Sequence, residues 1–125
     1  MTVDPTVLFR TVPVKTAVET DNGPGKWRIG LIVLSNDYAI ERDFINMRPG
    51  DDVAIFVTRI ANANACRVDM LQAMAPRITA ATELLVPDGR LDSVAYACTS
   101  GTVVIGYNSI QERAQSRAFS DQFGS

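Results

Sequence analysis

Arg28-Ile29-Gly30-Leu31-Ile32-Val33-Leu34, followed directly by Ser35-Asn36-Asp37, decides the fold of this chain. From Ile29 to Leu34 no polar residue interrupts the run, so the one-in, one-out alternation of a half-exposed strand is missing. A strand of this kind buries both faces, as strands of a parallel sheet do. Ser35, Asn36 and Asp37 are residue types that cap helices, and Ile40, Phe44 and Met47 then recur at helical spacing until Pro49-Gly50 stops the element. A buried strand feeding a helix is the first half of a β-α-β unit.

The same pattern returns twice downstream. Val53-Ala54-Ile55-Phe56-Val57 reads as a second buried strand ending in Thr58-Arg59, with Ala61-Asn62-Ala63-Asn64 as its exit loop. Met70, Leu71, Met74, Ile78, Ala81 and Leu85 then form an apolar helical stripe, in which Pro76 either kinks one helix or opens a second. Met70 and Met74 read as core residues. Pro87-Asp88-Gly89 turns the chain into a third apolar segment from Leu91 to Ala97, which runs into Cys98-Thr99-Ser100-Gly101. Val103, Val104, Tyr107, Ile110 and Ala114 supply a third helix. The resulting order predicts an α/β fold: three layers, flavodoxin-like, a parallel sheet with helices on both faces and right-handed crossovers. Residues 1–26, with Pro5, Pro13 and the turn cluster Asp21-Asn22-Gly23-Pro24-Gly25, read as an extended arm in which Val7 to Val14 could add an edge strand. The folded unit is expected over 27–116, and 117–125, which lacks apolar periodicity, as a frayed tail.

Composition narrows the chemistry. A chain of 125 residues, 46% of them hydrophobic, is long enough to build one real core. A net charge of −2 without a basic run offers nothing to phosphates, so nucleic acid is not an expected partner. No histidine is present, which removes Ser-His-Asp and Cys-His catalysis and the commonest metal ligand together. Two cysteines, Cys66 and Cys98, cannot form a structural zinc site and read as reduced thiols, and the opening residues resemble neither a secretory leader nor a membrane span. The expectation is a cytoplasmic protein with no metal, no organic cofactor and no membrane partner.

In open α/β sheets ligands bind beyond the carboxyl ends of the strands. The residues there are Ser35 and Asn36, Thr58 and Arg59, and Cys98, Thr99 and Ser100. An amide, hydroxyls, a guanidinium and a thiol are groups able to hold and act on a small carboxylate. Cys98 falls at a strand-to-helix junction, where unpaired backbone N–H groups favour a thiolate, although a small buried hydrophobe reads equally well from position alone. Asn36 serves as well as a helix cap, and Arg59 as the surface partner of Asp52 or Glu41. Cys66, in the loop after the second strand, is the candidate for a second thiol near Cys98. Asp51-Asp52 reads as turn chemistry.

These residues carry a resemblance. Arg28-Ile-Gly-Leu-Ile-Val-Leu-Ser-Asn-Asp, Ile40-Glu-Arg-Asp-Phe, Thr58-Arg-Ile with its asparagine loop, and above all Tyr96-Ala-Cys-Thr-Ser-Gly-Thr look like the aspartate/glutamate racemase superfamily. Within it they are closest to the maleate cis-trans isomerase, arylmalonate decarboxylase and ectoine-utilisation branch. The resemblance covers about residues 28 to 106. It implies two similar α/β halves facing each other across a cleft, each offering a thiol position to a small mono- or dicarboxylate. Cys98 matches the first-half cysteine, Thr99 and Ser100 the carboxylate donors beside it, and Asn36 the asparagine after the first strand. Cys66 matches no family cysteine. Arylmalonate decarboxylases have glycine at the first thiol position, so Cys98 argues against that activity. Only the N-terminal half is present on this reading, so the second half is expected from a second copy or a separate chain, and the isolated chain is expected to show little turnover. The competing expectation is a non-catalytic flavodoxin-like binding or assembly module. A nucleotide-binding domain is disfavoured because Ser-Asn-Asp, and no glycine-rich loop, follows the first strand.

Overall fold

The computed structural model describes residues 12–18, 23–62, 66–86 and 89–118. Its elements run β1 (Trp27–Leu34), α1 (Ile40–Met47), β2 (Val53–Ile60), α2 (Val68–Gln72), α3 (Ala75–Glu83), β3 (Ser93–Tyr96), α4 (Thr99–Ile105) and α5 (Tyr107–Ala118). The three strands form one parallel sheet in the order β2-β1-β3. The uninterrupted apolar run thus occupies the central strand, and Leu31, Ile32 and Val33 are fully buried there.

Register sorts the side chains into two faces. Ile32 lies opposite Thr58 and Tyr96, and Gly30 opposite Phe56 and Val94, so these share one face. On that face Ile32 and Ile60 pack with Met74, Ile78 and Ala81 of the α2–α3 region, with Leu85 and Leu91, and with Ile110 of α5, which is the main core. Gly30 is required in this layer, because a Cβ there would meet Leu85 Cδ1 at 2.8 Å and Leu91 Cδ1 at 3.2 Å. On the opposite face Ile29, Val53 and Ile55 line a hollow together with Phe44 and Met47 of α1. The α/β architecture with helices on both faces is therefore present.

Several boundaries differ from the sequence expectation, each for a local reason. β2 does not end in Thr58-Arg59 but continues through them to Ile60. It is an edge strand, where one backbone rim and part of one face stay in water, and polar residues therefore do not mark its end. The long helical stripe splits at Ala73-Met74, with Pro76 in the first turn of α3, where its missing N–H costs nothing. That split separates the two methionines: Met74 is 2% exposed, whereas Met70 is 38% exposed and is not core. The expected third helix is also two, broken at Gly106, whose φ of 95° lies in the left-handed region that favours glycine. The third strand is shorter than Leu91 to Ala97, covering only Ser93–Tyr96.

In the arm, residues 12–18 form no strand, and Val12 and Val14 are exposed, so the described part of the Val7 to Val14 segment adds nothing to the sheet. Residues 7–11 of that segment, 63–65 of the asparagine loop, Pro87-Asp88 of the turn, and 119–125 of the expected tail lie outside the described residues. Residues 117 and 118 belong to α5. Among the described residues, no helix is long and apolar enough to cross a membrane.

Candidate active site

The connection after β1 leads to α1 on one face of the sheet, and the connection after β3 leads to α4 and α5, of which α5 packs on the other. Neighbouring strands whose chains depart to opposite faces leave a crevice between their carboxyl ends. A cleft of about 630 Å³ occupies this position, lined by Leu34, Asp37 and Ile40 on the β1 side and by the stretch from Tyr96 to Ser100, with Thr102 and Val103, on the β3 side.

Cys98 sits on the β3 side as the residue preceding α4, in extended conformation with φ −153° and ψ 100°. Its sulfur takes the place that a serine or aspartate oxygen takes in an ordinary helix cap: Sγ accepts from the Gly101 N–H at 3.3 Å. The Cys98 carbonyl accepts from Thr102 Oγ1 at 2.8 Å and from the Thr102 N–H at 3.0 Å, which fixes the backbone on which the thiol is mounted. The first-turn amides of Thr99 and Ser100 have no partner within their own helix. Both residues are exposed, and their hydroxyls have no hydrogen-bond partner among the described residues.

Tyr96, two residues before the cysteine, also lines the cleft. Its hydroxyl oxygen is buried without a hydrogen-bond partner. Burial holds its ionisation well above the usual tyrosine range, and the negative charge that the neighbouring Cys98 carries as a thiolate raises it further. The two groups are thus close enough to interact, with no hydrogen bond formed between them. Gly101 makes room for both: a Cβ at this buried glycine would lie 2.5 Å from Tyr96 Oη and 3.1 Å from Cys98 Sγ.

The β1 side is arranged differently. Asp37 Oδ1 accepts from the N–H groups of Ala39 at 2.9 Å and Ile40 at 3.0 Å, which hold its carboxyl below the ordinary range, with the charge of Arg59 adding to the effect. Arg59 donates to the Leu34 carbonyl at 3.1 Å and the Asp37 carbonyl at 2.7 Å, and pairs with Glu41 at 2.8 Å. Ser35 Oγ accepts from the Asn62 N–H at 3.1 Å, and Asn36 Oδ1 accepts from Asn62 Nδ2 at 3.1 Å. Thr58 is buried within the sheet opposite Ile32.

Of the residues singled out in the sequence, the structure brings Cys98, Thr99 and Ser100 together in the cleft, whereas Ser35, Asn36, Thr58 and Arg59 do not line it. Asn36 does not cap α1; Asp37 makes that contact. Cys66 is exposed, precedes α2 and does not line the cleft. Two residues that sequence reasoning did not single out, Tyr96 and Asp37, do line it. Strand alternation places Tyr96 on the same face as Ile32, the face that packs the core, so the sequence carries no signal for a site role. Among the described residues there is no cluster of three or more histidine, cysteine, aspartate or glutamate side chains able to hold a metal ion.

No family model matches this chain, and no curated protein or solved structure matches it.

Proposed function

We propose that this chain supplies one wall of the active site of a cofactor-independent isomerase or racemase acting on a small carboxylic acid, with Cys98 as its reactive thiol. The observation that carries the reading is the placement of Cys98, Thr99 and Ser100 in the cleft between the carboxyl ends of β1 and β3. The resemblance of Tyr96-Ala-Cys-Thr-Ser-Gly-Thr to the racemase and maleate isomerase group supports it.

Thr99 and Ser100 offer two hydroxyls and two first-turn amides beside the thiol, a donor set suited to a carboxylate. With maleate, the ionised Sγ attacks one alkene carbon, the π pair moves onto the adjacent carbon and its carboxylate, the former double bond rotates, and expulsion of the thiolate regenerates the alkene as fumarate. With an α-amino acid the thiolate instead takes the α-proton, and a second acid on the opposite face returns one. Neither course changes the oxidation state. A second thiol is not available in the cleft among the described residues, so the opposing group comes from a facing unit, either a second copy or another chain. This chain alone is therefore expected to turn over little maleate or aspartate.

Alkylation tests the reading. In a Cys66→Ser background, iodoacetamide should modify Cys98, and millimolar maleate should slow that modification severalfold while succinamide, which lacks the charge, should not. Equal rates with and without maleate would overturn it.

A non-catalytic assembly module is the second reading. Val103 at the cleft and Tyr107 on α5 are 77% and 68% exposed, and exposed apolar groups suit a covering partner. A stable dimer with unprotected Cys98 would favour it.

A further inference from the structure

The mechanism leaves one buried polar group near the thiol unused. Tyr96 Oη has no hydrogen-bond partner among the described residues, although a buried phenol normally finds one. Thr102, a hydroxyl-bearing residue of α4 that lines the same cleft, already donates to the Cys98 carbonyl. The space around Oη is shared with Cys98 Sγ, since both atoms border the point where a Gly101 Cβ would stand.

We infer that Tyr96 is the positioning residue for the cysteine: once Sγ is ionised, the Tyr96 hydroxyl donates a hydrogen bond to it and holds the sulfur toward the cleft. The inference rests on the reading of Cys98 as the reactive thiol. The neutral thiol is a weak acceptor, which accounts for a phenol that sits beside it without a formed bond, whereas a thiolate accepts strongly. The phenol resists ionisation in this setting, so it remains a donor wherever the thiolate exists. Tyr96 also borders a second hollow, which it lines with Tyr107, Ile110 and Gln111. Gly101 is then required for a reason beyond helix packing: any side chain there would separate donor from acceptor.

Other titratable groups do not take this role. Asp37, from the β1–α1 connection, lines the same cleft, but it is ionised throughout the range in which a thiol is alkylated and its Oδ1 is held by two backbone N–H groups. Tyr107, from α5, borders the second hollow and does not line the cleft.

The experiment is the pH–rate profile of Cys98 alkylation from about pH 6 to about 10 in the Cys66→Ser protein, with and without Tyr96→Phe. Loss of a hydrogen bond to a charged group should slow alkylation near neutral pH about tenfold and move the whole profile to higher pH, with thermal unfolding nearly unchanged because the deleted hydroxyl had no partner. Gly101→Ala, which retains the hydroxyl but wedges the pair apart, should move the profile in the same direction. Superimposable profiles for parent and Tyr96→Phe would overturn the inference. A shifted profile without maleate protection would leave Tyr96 in place and remove the carboxylate reading; protection with an unshifted profile would do the reverse.

Discussion

Two polar clusters stand at the carboxyl end of the sheet, one beside the cleft and one within it, and they use their polar groups in opposite ways. On the β1–β2 rim the polar groups engage one another: Arg59 bridges the Leu34 and Asp37 carbonyls and Glu41, Asp37 caps the start of α1, and Asn62 joins Ser35 to Asn36. On the β3–α4 rim the side chains of Thr99 and Ser100 and the Tyr96 hydroxyl have no hydrogen-bond partner among the described residues, while Cys98 is held by one N–H···S contact. A rim whose donors and acceptors satisfy each other fixes backbone; a rim with unused capacity can receive a ligand. Polar residues at strand ends are therefore not interchangeable evidence for a binding site; their partners decide the matter.

This contrast can be broken or sharpened by substitution. The largest effect should come from beneath both rims. Ile78 is fully buried in the core that the sheet shares with α3 and α5, so Ile78→Ala should cost about 2–5 kcal/mol in urea unfolding. Arg59→Ala should cost on the order of 1 kcal/mol, since it removes hydrogen bonds from a half-exposed strap, and should leave the Cys98 alkylation rate unchanged. Loss of alkylation with Arg59 would mean that the two rims are not independent.

Asp37 gives a pH-dependent test of the same rim. Its folded-state ionisation is lowered below the ordinary value of 3.8, so the folded state favours the carboxylate. Its contribution is therefore complete above that value and is lost as pH falls through the lower, folded one. Asp37→Asn, which keeps an acceptor oxygen, should flatten the acid limb of a stability-versus-pH series and change little at neutral pH. An unchanged acid limb would remove Asp37 as its source. The smallest stability effect should belong to the open rim: Thr99→Ala and Ser100→Ala should alter unfolding by less than about 0.5 kcal/mol, yet weaken maleate protection of Cys98. A marked loss of stability with intact protection would invert the comparison.

Much of the architecture was legible in the sequence. The uninterrupted run Ile29 to Leu34 could be read as a central parallel strand because burial on both faces leaves no room for alternation, and Cys98 could be placed at a strand-to-helix junction because Gly101 and the apolar residues after it change the period. The ends of elements were harder to read. Thr58 and Arg59 are polar, but an edge strand tolerates polar residues, so β2 continued past them; Gly106 breaks a stripe whose apolar spacing runs straight through it. The site was legible only on one rim. Cys98, Thr99 and Ser100 are contiguous, so a single junction locates them all. Arg59 pairs with Glu41, one of the two partners the sequence offered, whereas the engagement of Ser35 and Asn36 depends on Asn62, a pairing across the fold that leaves no periodic trace. Tyr96 was hidden for a related reason: as a strand residue on the packed face it reads as core, and only its unpartnered hydroxyl beside a thiol sets it apart.

The most direct measurement of the central claim is a residue-resolved NMR titration of the Cys66→Ser protein with maleate. The account predicts that the amide signals of Thr99, Ser100 and Gly101 shift in a saturable way while those of Ser35, Asn36 and Asn62 stay in place. Shifts confined to Ser35, Asn36 and Asn62, or no saturable shift anywhere, would contradict it.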